Sequence, residues 1–156
     1  MVSSTTDHAT GPAAERSLQL AIAAARTAMD NRGRDVAVLD LRELTPVFDY
    51  FVLVTGTSGR QLRAMSEDID NVLEKELGDK RMGIEGFQDS RWILLDYGSV
   101  VVHLFDAETR RYYDLEHLWS GAKPVDLQPF GIATESSLAP GTGEPGRVGD
   151  GSEAVS

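Results

Sequence analysis

The six residues Tyr50 to Thr55, Tyr-Phe-Val-Leu-Val-Thr, carry no charge and no polar alternation. They limit the fold more than any other stretch. A short run rich in aromatic and β-branched residues reads as a strand covered on both faces. Gly56-Thr57-Ser58-Gly59 follows at once. It turns the chain, and Ser58 is placed as the N-cap of a helix. Leu62, Met65, Ile69, Val72 and Leu73 then recur at helical spacing, and Gly78 marks the C-cap. Upstream, Pro12 to Asn31 has Leu18, Ile22, Ala25 and Met29 on one helical face, with Asn31 and Gly33 as the stop. Val36 to Leu41 reads as a further strand. A strand–helix–strand unit results, which implies a right-handed crossover if its strands are parallel.

Downstream, Arg91–Tyr97 and Ser99–Phe105 flank a tight turn at Gly98 and predict a hairpin. Asp106 can cap one short helical turn, and Asp114 a second that reaches Trp119. The expected fold class is α/β in the broad sense (α+β): a mixed β-sheet of four or five strands flanked by two main helices. Both hairpin strands are apolar on both faces, with Trp92 and Leu94 pointing one way and Ile93 and Leu95 the other. Either the surplus apolar face is an interface, or the hairpin sits at the sheet centre under the short C-terminal helices. The sequence leaves both open.

A chain of 156 residues suggests one domain. Residues 1–11 are small and polar, and 128–156 are mostly Gly, Ala, Pro, Ser, Thr and Glu. Neither stretch can bury enough surface to offset its ordering entropy. Disordered tails are therefore expected there, around a folded domain at 12–127. The net charge of −10 argues against DNA and against broad nucleic-acid binding, and it suits a basic protein partner. The absence of cysteine excludes disulfides, thiolate metal sites and cysteine nucleophiles. Leu18 to Met29 is too short and too polar to span a bilayer, and no secretory signal opens the sequence. The expectation is a soluble, cytoplasmic protein with no membrane partner.

Catalytic motifs are scarce. Gly56 to Gly59 sits where phosphate-binding loops sit, yet it is neither G-x-G-x-x-G nor a P-loop. Asp68 and Asp70 have the spacing of a metal-binding carboxylate pair, but within a helix, where positions two apart diverge. They read as a solvated face. His103 has Asp96 and Asp106 nearby in the chain, and it reads as a structurally satisfied histidine. Arg110-Arg111-Tyr112-Tyr113 could stack on RNA bases, but Glu108, Asp114 and Glu116 surround it and would pair with the arginines. It reads as an interface or helix-surface patch with RNA contact secondary. The chain is expected not to be an enzyme, with no cofactor and no metal. The competing reading is a nucleotidyltransferase-like enzyme with an anion site at Gly56 to Gly59.

One stretch carries a likeness. The run Trp92-Ile93-Leu94-Leu95-Asp96-Tyr97-Gly98-Ser99-Val100-Val101-Val102-His103 is followed by Arg110-Arg111-Tyr112-Tyr113-Asp114-Leu115-Glu116-His117-Leu118-Trp119. With Thr55-Gly56-Thr57-Ser58 before a helix, the Glu85-Gly86 step and the apolar strand before the glycine turn, it resembles the ribosomal silencing factor family, also called Iojap-like or RsfS. The resemblance covers roughly Pro12 to Trp119. Ser99 stands where the family usually has an acidic Asp. The resemblance implies a nucleotidyltransferase-like fold without the catalytic carboxylates, and a homodimer in the free state. It implies binding to ribosomal protein L-fourteen on the large ribosomal subunit, which blocks joining of the small subunit and lowers translation when nutrients are scarce. Organellar relatives aid large-subunit assembly, which gives an alternative role. The residues expected to contact the partner are Trp92, Asp96, Tyr97, Gly98, His103, Arg111, Tyr113 and Trp119.

Overall fold

The structure, a computed structural model, describes residues 11–132. Its centre is the strand that the apolar run requires: β2 (Tyr50–Gly56) is buried at every position. Six strands share one sheet. In order across it they are β3 (Gly83–Glu85), β4 (Trp92–Asp96), β5 (Val100–Asp106), β2, β1 (Arg34–Asp40) and β6 (Lys123–Pro124). β2 and β5 pair in parallel, from Tyr50↔Val100 to Gly56↔Asp106, and every other pair is antiparallel. The parallel pair can close only through a crossover, and α2 (Gly59–Asn71) lies in that connection.

The sheet has six strands where four or five were expected. The two that left no periodic signal are edge strands of three and two residues, shorter than a repeat needs to show. Pro124 is tolerated because it lies on an edge, where its missing N–H costs no ladder bond.

α1 (Pro12–Asp30) and α2 cover one face. Ala21, Ala24, Ala25 and Ala28 let α1 approach closely over Val36, Val38, Val52, Val54, Val102 and Leu104. Asn31 closes α1, its Nδ2 donating to the Thr27 carbonyl at 2.9 Å. Ser58 caps α2, accepting from the Gln61 N–H at 3.1 Å. The helix continues to Gly78 through a π-helical turn at Val72–Glu76, and Gly78 adopts φ +71°.

Two short helices, α3 (Ala107–Tyr113) and α4 (Leu115–Leu118), lie over the second face. There Leu39, Leu41, Phe51, Leu53, Val101, Phe105 and Leu115 form a separate buried cluster. The structure bears out the central placement of the hairpin in part. The second hairpin strand is central and buried, but Trp92 and Leu94 of the first remain half-exposed.

The boundary drawn at residue 128 falls short of the folded part. Gln128–Phe130 forms a 3-10 turn, Ile132 is buried with Leu127 against the helix-side core, and the Arg26 guanidinium donates to the Phe130 carbonyl at 2.6 Å. Two spaced apolar groups anchor this segment in spite of its polar, proline-containing composition. Residues 1–10 and 133–156, where the tails were placed, lie outside the described residues. No helix among the described residues is long and apolar enough to cross a membrane.

Candidate functional site

Strand register brings the site together. Trp92 pairs with Phe105 and Leu94 with His103, so all four side chains share the face under the short helices. The Trp92 indole Nε1–H donates to His103 Nδ1 at 3.1 Å. With Nδ1 accepting, the ring proton of the neutral imidazole sits on Nε2. His103 is 4% exposed, and its Nε2 has no partner among the described residues. Burial pushes its pKa down from 6.5 to about 4.

Around this pair the aromatics form a band. Phe51 meets His103 and Trp119 edge-on, at 4.6 Å and 5.6 Å between centroids, and Phe48 at a tilt at 5.4 Å. On the other side Trp92 packs on Tyr113 at 4.8 Å, which meets Tyr112 edge-on at 4.9 Å. The band grades from buried to open: Phe51 is buried, Trp92 and Trp119 are half-buried, and Tyr113 and Tyr112 are 52% and 79% exposed. Val47 and Leu118, chain neighbours of Phe48 and Trp119, are also exposed.

Arg110 fixes α3 over this face. It bonds Glu116 at 2.5 Å, the Asp35 carbonyl at 2.7 Å and Thr55 Oγ1 at 2.8 Å, and it lies over the Phe105 ring. Asp106 caps the helix through the Thr109 N–H, and Asp114, at φ +50°, turns the chain into α4. Of the expected acid–arginine pairs, Arg110–Glu116 forms. Arg111 and Glu108 project outward without an ion pair among the described residues.

Of the eight residues expected to contact a partner, Trp92, His103, Tyr113 and Trp119 converge on this band, and Arg111 is exposed beside it on α3. The others do not converge. Asp96 accepts the Gly98 N–H at 2.8 Å, and both belong to the hairpin turn, where Gly98 adopts φ +92°. Tyr97 is 5% exposed on the opposite face, and its hydroxyl donates to Asp70 Oδ1 at 3.0 Å. Burial raises the pKa of this phenol and keeps it a donor. Tyr97 is therefore a core residue. Asp70 is not a solvated helix carboxylate: its Oδ2 also takes Arg81 at 3.0 Å. The residues of the band that sequence reasoning missed are Phe48 and Phe51; Tyr112 belongs to the Arg110–Tyr113 patch.

The glycine turn is occupied by the chain itself. The Thr57 N–H donates to Gln61 Oε1 at 2.6 Å, and Gln61 Nε2 donates to the Asn31 carbonyl at 2.9 Å. A Cβ at Gly56 would lie 2.5 Å from Leu62 Cδ2, so close packing accounts for that glycine. Asp68 accepts from Asn31 at 3.1 Å.

The depressed pKa of His103 has a pH consequence. Below pH 6.5 the unfolded chain takes up a proton here that the folded protein refuses until about pH 4. Stability therefore falls as pH drops through that window, by about 2 kcal/mol from pH 7 to 5. Urea unfolding of wild type and His103→Gln at both pH values isolates this contribution. Equal losses in the two proteins would count against it.

The comparisons with known proteins decide the family. The model of the family described as "Ribosomal silencing factor during starvation" matches residues 14–144. The chain belongs to this family. The ribosomal silencing factor RsfS of Bacillus subtilis is 42% identical over 110 residues, which cover 70% of this chain and 91% of that one. A mouse protein named for mitochondrial assembly of the ribosomal large subunit is 37% identical over 105 residues, 66% of this chain and 46% of that one. A crystal structure of a Chromobacterium violaceum protein superposes with a TM-score of 0.61 at 34% identity and covers 80% of this chain and 98% of that one. The family thus joins bacterial silencing factors with organellar ribosome-assembly relatives.

Proposed function

We propose that this protein is a translation repressor that docks its aromatic band on ribosomal protein L-fourteen of the large ribosomal subunit. Occupying that subunit-facing patch excludes the small subunit sterically, and translation falls when nutrients are scarce. The observation that carries the reading is the graded exposure of Trp92, Tyr113, Tyr112 and Trp119. Rigid aromatics with a buried root and an open edge supply contact area at small entropic cost. The mechanism needs no catalysis and no cofactor. Gln61 occupies the Gly56–Gly59 loop, where the competing reading placed an anion. The protein acts in the cytoplasm and is a homodimer when free, because the half-covered second face supports symmetric self-association. Contact with ribosomal RNA is secondary, and the charge of −10 disfavours it.

The test is sedimentation with purified large subunits, followed by addition of small subunits. The protein should travel with the large subunit and lower the yield of joined ribosomes. Normal joining at saturating protein would refute silencing. The name of the mouse relative supports a second reading, a large-subunit assembly factor. That role predicts precursor large subunits on depletion, with joining of mature subunits unaffected by added protein.

A further inference from the structure

Beside the aromatic band the surface sinks into a cleft of about 420 Å³ between the β3–β4 loop and the first turn of α3. Its aromatic walls are Trp92, Tyr112 and Tyr113, and its charged groups are Asp89, Arg91 and Glu108. Neither the Asp89 nor the Glu108 side chain forms an ion pair or hydrogen bond among the described residues, with Arg91 or with any other group. Two carboxylates against one guanidinium leave the cleft with a net charge of −1. We infer that this cleft seats an arginine side chain of the protein partner, with the guanidinium stacked on the aromatic walls and paired with Asp89 and Glu108. The inference rests on the docking reading above and names the partner group that the cleft selects.

The chemistry favours arginine over the alternatives. A guanidinium is planar, weakly hydrated, stacks on aromatic rings and meets carboxylates two bonds at a time. An ammonium is a strongly hydrated point charge that does the first of these poorly. A nucleotide base could also stack on Tyr112, but its phosphates would then lie close to Asp89 and Glu108 in a chain of net charge −10. The volume falls in the lower part of the roughly 300–1,000 Å³ range of ligand pockets, suited to one long side chain.

The test uses the full chain carrying Asp89→Asn and Glu108→Gln together. Both residues are exposed, so thermal unfolding should be unchanged. Affinity for purified large subunits is measured at low and high salt, with Trp92→Ala alongside. The double variant should bind about tenfold more weakly at low salt and show a flatter salt dependence, because attraction between exposed charges is what salt screens. Tyr112→Ala should weaken binding as well, and Tyr112→Phe should restore it. Unchanged affinity and salt dependence in the double variant, with binding still lost in Trp92→Ala, would overturn the arginine seat and leave the docking reading standing. Tighter binding by the double variant would also overturn it and assign the cleft to RNA. Normal binding by Trp92→Ala would remove the docking reading and this inference together.

Discussion

Trp92→Ala is expected to weaken binding to the large ribosomal subunit by about 2 kcal/mol or more, roughly thirtyfold, in a protein that still folds. Trp92 is rooted in the fold and open at its edge. Its ring packs on Phe105 at 5.6 Å and on Tyr113 at 4.8 Å, and its N–H makes the one hydrogen bond of the His103 imidazole among the described residues. Truncation removes the ring and leaves a buried imidazole with no partner. A stability loss of about 3 kcal/mol should accompany the binding loss, at the low end for a large aromatic because the ring is only half-buried. Trp92→Phe separates the two effects: it keeps most of the stacking and loses the N–H, so stability should drop by about 1 kcal/mol while binding is largely retained. Thermal unfolding and cosedimentation on the same samples are the measurements. Wild-type binding by a folded Trp92→Ala would remove Trp92 from the interface, and an unfolded variant would make it a core residue.

Gly86→Ala is expected to destabilise the protein by about 3 kcal/mol, although residue 86 is exposed. Gly86 has φ +82°, and a Cβ there would stand 2.0 Å from the Trp92 carbonyl oxygen and 3.1 Å from its carbonyl carbon. Both are backbone atoms of β4, so the loop or the strand must move. Gly78→Ala provides the comparison. It shares the left-handed backbone at φ +71° but has nothing within 4 Å of its Cβ, so it should cost about 1 kcal/mol from conformation alone. Denaturant unfolding of both variants isolates the clash with Trp92, and equal midpoints would refute it. Because the displaced carbonyl belongs to Trp92, Gly86→Ala should also disturb the aromatic band.

The sheet was readable where strands are long and apolar. β2 and the β4–β5 hairpin follow from runs without alternation, and both long helices follow from spacing and caps. Strands of two or three residues carry no period, so β3 and β6 were not visible. The site was legible in part. Trp92 and Tyr97 lie five positions apart on an extended chain, an odd spacing that sends them to opposite faces. That parity was available in the sequence and separates Tyr97 from Trp92, His103, Tyr113 and Trp119. The role of Gln61 was legible too: Ser58-Gly59-Arg60-Gln61 is a capping-box spacing, and the glutamine reaches back over the turn as such residues do. Phe48 and Phe51 could not be placed, because their contacts depend on the register of β2 against β5. The hold of Asp70 on Tyr97 was equally out of reach, since it depends on how α2 lies over the sheet.

The parallel seam at the sheet centre also bears on how the chain is made. Tyr50 lies beside Val100, fifty positions later in synthesis. The β1–β2 pair is local and can form as soon as it is released, but the other edge of β2 stays open until β5 emerges. At about 5–20 residues per second that wait lasts roughly 3–10 s. During it Phe51, Leu53 and their neighbours present unpaired backbone groups in an apolar setting, the condition under which one nascent chain pairs with another. The parallel pairing that puts the most buried strand in the middle therefore exposes that strand longest at birth, and crowded synthesis is where this protein is most prone to aggregate.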